Sequence, residues 1–279
     1  MLIKTLFCSD IELVYVDTIE HFGYEYCVEF NNNQNRELRL YSDYSFDFLK
    51  KGQTFIFEVR NVLSYRFILG DEYIEYSFCN HKNEKLLEYW LFHVVFPIFL
   101  VFRDKRLFLH SGAVSYGDTA LVFLANSFGG KSTITDFFLK KGHLLVTDDK
   151  LLIDEADGTF YAVPSFAYHR PFRDFETLGI YTKNFDPSKR KIRSMYVLKK
   201  ADADASVSFE KIKGVEKFQI LKGSIEFDFY FMFEKNSKYL AKMCNHIELF
   251  YVMVPWNIDR LNEVYEKIIL HQKEIANEV

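Results

Sequence analysis

The sequence predicts a mixed α/β protein. Three features carry that prediction: a β-rich first 80 residues, a strand–glycine loop–helix–strand order over residues 107–154, and an amphipathic helix at the C-terminal end. At 279 residues the chain is long enough for one large domain or two modest ones, and 49% apolar residues supply a core. Thirty Phe and 18 Tyr against 12 Gly and 5 Pro mark an ordered chain rather than a low-complexity one. A formal charge of −4 gives no electrostatic case for nucleic acid or an anionic membrane as partner.

The opening stretch, MLIKTLFCSDIELVYVD, has acids close behind a short apolar run and lacks the apolar core and cleavage site of a signal peptide. NNNQNRE (31–37) reads as an exposed loop before a strand, LRLYS. TFIFEVR (54–60) alternates, with Phe55, Phe57 and Val59 on one face and Ile56, Glu58 and Arg60 on the other. SYRFILG (64–70) and EYIEYSF (72–78) form a hairpin around Gly70-Asp71. Residues 84–102 read as a helix. Its apolar segment, YWLFHVVFPIFLVF (89–102), is 14 residues, too short to span a bilayer, and Pro97 predicts a kink or break. The chain therefore divides into a β-rich region, 1–83, and a second domain, 84–279, with no internal repeat and no long linker.

LFLHSGAVSY (107–116) and TALVFLA (119–125) are two strands around the turn pair Gly117-Asp118. STITDFFLKKG (132–142) is a helix with lysines in its last turn and Gly142 as its stop. HLLVTDDKLLID (143–154) reads as one strand carrying two adjacent acids. SMYVLKK (194–200) and ASVSFEKI (205–212) are further strands. Residues 257–279 form a helix with Ile258, Leu261, Val264, Tyr265 and Ile268 as its apolar stripe. Cys8, Cys27, Cys79 and Cys244 form no C-x-x-C pair, which speaks against a zinc site or a disulfide framework and for reduced thiols in the cytoplasm.

Chemistry concentrates in ANSFGGKST (125–133), which follows the phosphate-loop pattern G-x-x-x-x-G-K-[ST] except that Ala125 replaces the first glycine. Such a loop needs backbone amides converging between a strand and a helix N-terminus, a lysine to reach the terminal phosphates, and a neighbouring hydroxyl for Mg²⁺. Ala125, Asn126, Ser127, Phe128, Gly129, Gly130, Lys131, Ser132 and Thr133 supply the loop, with Lys131 and Ser132 in the key places. Ala serves at position 125 where φ is not forced positive, and the bulky Phe128 must point away from the phosphates. The plain alternative is a helix cap that happens to contain G-G-K-S.

Asp148 and Asp149 follow in sequence. Neighbouring carboxylates on a strand point to opposite sides, so one can face the nucleotide and its Mg²⁺ and the other a second partner. The alternative is a pair of acids opening a surface loop. In a two-residue hairpin around Gly117-Asp118, paired residue numbers sum to 235, which puts His110 opposite Ala125 and beside the phosphates. A core histidine satisfied by a carbonyl is the competing reading. Arg170 and Arg173, straddling a Pro-Phe pair in HRPFR (169–173), are placed to clamp phosphoryl oxygens, or else lie exposed on a turn.

LHSGAV, the strand entering the glycine loop, GGKST and GHLLVTDD together resemble the catalytic domain of bacterial HPr kinase/phosphorylase, and more closely the looser group of HPr-kinase-related small kinases. The resemblance is dense over 107–154 and continues weakly through AVPSFAYHRPFR (162–173), SMYVL (194–198) and VPWNIDRLNEV (254–264). Residues 1–80 do not look like the regulatory domain of the true HPr kinases. The resemblance implies a P-loop fold with a mixed sheet, akin to phosphoenolpyruvate carboxykinase. It implies that Lys131 and Ser132 hold the triphosphate of ATP and Mg²⁺; Ser132 and one of the two aspartates, Asp148 or Asp149, are the expected Mg²⁺ ligands. It implies that Asp148 acts as base on an acceptor hydroxyl, supported by Asp149 and His110. Two departures stand out: the family commonly has Gly at the places of Phe128 and Ala125, and its downstream E-x-R-G-x-G segment has no counterpart here, which argues against phosphorylase activity and against HPr as acceptor. The expected function is an Mg-ATP-dependent kinase acting on a serine-like hydroxyl of a small molecule, a peptide or a protein. The rivals are an ATP-binding regulatory protein without transfer activity, and an interaction protein with a vestigial loop. Homo-oligomerisation is left open.

Overall fold

The computed structural model describes residues 2–5, 9–21, 23–31, 36–126, 128–171 and 176–277. The chain forms two compact units. The first comprises 1–106 with 174–178 and 227–233, and the second comprises 107–173, 179–226 and 234–279. The boundary thus falls at 106/107 rather than at 83/84, because the helical segment after residue 84 groups with the β-rich region.

Among the described residues, seven strands of the first unit form one sheet: β1 (Leu2–Thr5), β2 (Ser9–Tyr15), β3 (Tyr26–Asn31), β4 (Glu37–Ser42), β5 (Thr54–Val59), β6 (Leu63–Ile68) and β7 (Tyr73–Phe78). Their order is β1-β2-β7-β6-β5-β4-β3, antiparallel throughout except for β2 beside β7. The expected β6–β7 hairpin forms, and Gly70, at φ +110, makes its turn. The expected loop at 31–37 lies largely outside the described residues. Phe55 and Phe67 stack at 5.2 Å and pack on Phe102 and Phe99 of the following helical segment.

That segment runs unbroken as α1 (Glu84–Trp90), a π turn (Leu91–Val95) and α2 (Phe96–Asp104). Asn83 caps it by accepting a bond from the Leu86 amide at 3.2 Å. The kink expected at Pro97 is replaced by the π turn. Proline offers no N–H, and the wider i→i+5 bond from Phe96 to Leu91 just before it absorbs the misfit. The whole helix has 21 residues and is long and apolar enough to cross a membrane, contrary to the 14-residue reading, but 72% of its most apolar window is buried inside the protein.

The second unit contains β8 (Leu107–His110), β9 (Gly112–Tyr116), β10 (Thr119–Leu124), α3 (Lys131–Lys140), β11 (Leu145–Thr147), β12 (Lys150–Ala156), β13 (Thr159–Val163), β14 (Tyr168–His169), β15 (Ile180–Tyr181), β16 (Arg190–Lys191), β17 (Ser194–Ala201), β18 (Ser208–Ile212), α4 (Gly214–Gly223), α5 (Phe233–His246), β19 (Glu248–Pro255) and α6 (Leu261–Asn277). Its main sheet runs β18-β19-β17-β10-β16-β13-β12-β8, with β9 pairing β10 and β11. β10, β17 and β19 are parallel, so their C-terminal ends lie side by side. Alternation along β10 builds the layers. Leu121 and Phe123 pack with Ile134 and Phe138 of α3 and Val264 and Ile268 of α6, while Ala120, Val122 and Leu124 pack with Leu221, Leu240 and Met243 of α4 and α5. This mixed α/β unit is therefore three-layered, helix–sheet–helix. Ile258, expected in the apolar stripe of the last helix, lies instead in a 3₁₀ turn and is 67% exposed.

Two segments expected as single strands are broken. LFLHSGAVSY divides at Ser111 into β8 and β9, which pair with different neighbours. HLLVTDDKLLID divides at Asp148-Asp149 into β11 and β12. Both breaks fall at the candidate site.

Candidate functional site

The loop between Leu124 and Lys131 begins on Ala125, which keeps an ordinary φ and so needs no glycine. The Gly129 amide donates to the Asn126 carbonyl at 2.9 Å, closing a tight turn. A Cβ on Gly129 would sit 2.8 Å from the Ala125 Cβ and 2.9 Å from that carbonyl oxygen, so glycine is required there. Gly130 occupies the left-handed region at φ +85 and precedes the helix with no side-chain cap. α3 therefore begins at the loop without a capping side chain from Gly130. Phe128 also takes a left-handed φ, +63, and its side chain is 80% exposed. This is a conformation glycine adopts without strain, and Phe128 takes it with its ring outside the core. Ser127 lies outside the described residues.

Lys131 opens α3 and is buried. Its seat depends on Gly112 of β9, where a Cβ would lie 2.7 Å from Thr135 Oγ1 and 3.4 Å from Lys131 Cγ and from the Asp148 carbonyl oxygen. The first turns of the helix thus rest on the sheet at the glycine of HSGAV. Ser132, half-buried, and Thr133, exposed, follow in the same turn.

Lys131 Nζ lies 3.8 Å from Asp149 Oδ1, and that carboxylate organises the site. His110 Nδ1 lies 3.2 Å from Asp149 Oδ1, Arg170 donates to Asp149 Oδ2 at 2.8 Å, and Lys150 Nζ is 3.9 Å away. Burial alone would raise the Asp149 pKa, but Lys150, His110, Arg170 and Lys131 together hold it far below the usual carboxylate range. Lys150 is in turn lowered to about 8, by burial first and by the Arg170 and Lys131 charges, with Asp149 acting in the opposite sense.

Asp148 behaves differently from its neighbour. Its Oδ2 accepts from the Arg170 amide at 2.7 Å, while its buried Oδ1 has no hydrogen-bond partner among the described residues. Burial pushes the Asp148 carboxyl up, reinforced by Asp149 and opposed by the Arg170 amide. The two acids lie in a bend between β11 and β12 rather than within a strand, and Arg170 serves both, Asp148 through its amide and Asp149 through its guanidinium.

His110 reaches the site by a route other than the predicted one. The β9–β10 register runs from Thr119↔Tyr116 to Phe123↔Gly112, as the count requires, but the chain leaves that pairing at Ser111. His110 lies instead opposite Lys150 on β12, and its amide donates to the Ser224 carbonyl at 2.7 Å. Arg170 joins the site through both its amide and its guanidinium; Arg173 lies outside the described residues. Gly179 fixes Arg170 from behind, because at φ +91 a Cβ there would come within 2.4 Å of the His169 carbonyl oxygen and 2.5 Å of Arg170 Cγ.

Sequence reasoning missed Lys150 and Glu226. Glu226 forms a salt bridge with Lys150, and its other oxygen lies 3.0 Å from His110 Nδ1. Residues 224–226 lie along β8, with the Glu226 amide donating to the Phe108 carbonyl at 2.9 Å. A lysine inside the apolar run LLVTDDKLLID was a usable signal. Nothing local marks Glu226, which is 76 residues from Lys150. Lys131, Lys150 and Arg170 converge on Asp149, and Lys150 also pairs with Glu226. Among the described residues, no three His, Cys, Asp or Glu side chains form a preassembled metal cluster.

No protein-family model and no curated protein matches the chain. Among solved structures, it is distantly similar to the Hpr(Ser) kinase/phosphatase from Coxiella burnetii, with a TM-score of 0.37 and 10% identity over 61% of this chain and 95% of that one.

Proposed function

We propose that this protein is an Mg-ATP-dependent phosphotransferase that delivers the γ-phosphoryl group to a hydroxyl acceptor. The observation that carries this reading is a buried lysine opening a helix after a strand and a double-glycine turn, beside two further cationic side chains and a carboxylate whose Oδ1 has no hydrogen-bond partner among the described residues. The first-turn amides of α3 and the Lys131 ammonium bind the phosphates. Arg170 and Lys150 offset charge on the transferring oxygens, held at that task by Asp149 and Glu226. Asp148 Oδ1, buried and carrying a raised pKa, receives the acceptor proton.

The donor set fits Mg²⁺, which is commonly held by one or two protein oxygens together with phosphate oxygens and waters. Ser132 offers a hydroxyl beside the lysine, and Asp149 a carboxylate whose lysine contacts are no closer than 3.8 Å. Asp148, also expected as a ligand, is given to the proton because its Oδ1 has no hydrogen-bond partner among the described residues. When bound, the ion neutralises phosphate charge. The acceptor is a serine-like hydroxyl on a small molecule, peptide or protein.

The first test is thermal stability with and without Mg-ATP. A ligand at about 100 times its Kd adds about 2.7 kcal/mol, which raises the melting temperature visibly. Wild type should gain this shift and Lys131→Ala should lose it. Absence of a shift in wild type at millimolar Mg-ATP refutes the reading. The second reading, a nucleotide-binding regulatory protein without transfer, is favoured by Phe128 in a strained left-handed conformation within the loop. It predicts an Mg-ATP shift but no product with any acceptor hydroxyl, and no effect of Asp148→Asn.

A further inference from the structure

Trp256 follows β19 directly, and its amide donates to the Ala201 carbonyl at 3.1 Å, beyond the end of the parallel strand β17. It therefore stands at the C-terminal edge of the parallel strands, the edge at which open α/β sheets take their ligands. The indole rim lies against the glycine loop, since a Cβ on Gly130 would be 3.4 Å from Trp256 Cζ3 and 3.6 Å from Cη2. The ring is nevertheless 42% exposed, unusual for the largest aromatic side chain, and the Lys200 ammonium sits 4.7 Å from its centroid. A flat, half-open π surface in contact with the last residue of a phosphate loop is within reach of the base of a nucleotide whose phosphates occupy that loop.

We propose that Trp256 is the nucleobase platform of this site, binding the purine by stacking. The inference rests on the phosphate-loop reading above and adds the source of affinity for the nucleoside half. Stacking on an aromatic ring does not discriminate among purines, because every base offers a π face, so ATP and GTP bind comparably. The indole contributes affinity for the base and none for the polyphosphate, which Lys131 and the loop amides hold.

The protein has two tryptophans, and Trp90 is 1% exposed, so the fluorescence open to acrylamide belongs to Trp256. Mg-ATP at saturation should shield that emission from acrylamide, whereas Mg-tripolyphosphate should bind through Lys131 without shielding it. By calorimetry, wild type should bind Mg-ATP about tenfold or more tighter than Mg-tripolyphosphate, and Trp256→Ala should erase that difference while leaving tripolyphosphate affinity unchanged. Trp256→Phe, which retains a ring, should keep most of it. Equal affinities in wild type, or no shielding at saturating ATP, overturn the platform and leave the phosphate loop standing. Failure of both ligands to bind wild type overturns the phosphate-loop reading and the platform with it.

Discussion

Lys150 provides the most informative perturbation, because its cost and its use have the same origin. Its ammonium is buried beside Arg170 and Lys131, and its folded pKa is lowered from 10.5 to about 8. Between those values the unfolded chain binds a proton that the native state has released, so stability due to this group rises with pH. The full effect of the 10.5-to-8 shift is about 3 kcal/mol at 1.36 kcal/mol per unit. Between pH 7 and pH 9.5, the part realised is about 2 kcal/mol. Urea midpoints at these two pH values, in wild type and Lys150→Met, isolate the term, since titrations common to both proteins cancel. Wild type should gain about 2 kcal/mol relative to the variant across this window. Function should move the other way. On the function proposed above, the Lys150 charge present below pH 8 aids polyphosphate binding, so Mg-ATP affinity should fall between pH 7 and pH 9.5 in wild type and fall less in Lys150→Met. Identical pH slopes in the two proteins would refute the reasoning and remove Lys150 from the site's charge balance.

Three further substitutions and one pH profile test the same geometry. Asp148→Asn should melt higher than wild type at pH 7, since burial penalises the charged carboxylate, and should bind Mg-ATP without phosphorylating an acceptor; unchanged turnover would take Asp148 out of the proton-accepting role. The raised pKa also places the acid limb of the kcat profile above that of an ordinary aspartate, with activity lost as pH falls through it. Gly179→Ala forces an L side chain to φ +91 and into the His169 carbonyl, and should cost about 2 kcal/mol or more in chemical denaturation while weakening the Mg-ATP shift. Phe128→Gly relieves a left-handed φ at an exposed position, so stability should stay within about 1 kcal/mol of wild type and the Mg-ATP shift should persist; loss of the shift would show that the ring itself contacts the nucleotide.

Local physical chemistry made much of this protein legible in its sequence. Alternation in TFIFEVR, the turn pairs at Gly70-Asp71 and Gly117-Asp118, and the glycine stop after α3 each act over a few residues, and each forms as expected. The order strand, GGKS, helix was readable for the same reason, and Ala125 keeps an ordinary φ. Tertiary structure decided what no local rule encodes. Ser111 ends one pairing and begins another, so that His110 meets Lys150 rather than Ala125. The π turn keeps Glu84–Asp104 a single helix despite Pro97. Glu226, Gly179 and Trp256 reach the site only through strand register and packing between distant segments. Composition and spacing set the repertoire of charges, but which carboxylate is surrounded by cations and which keeps an oxygen without a partner among the described residues depends on burial and on neighbours far along the chain.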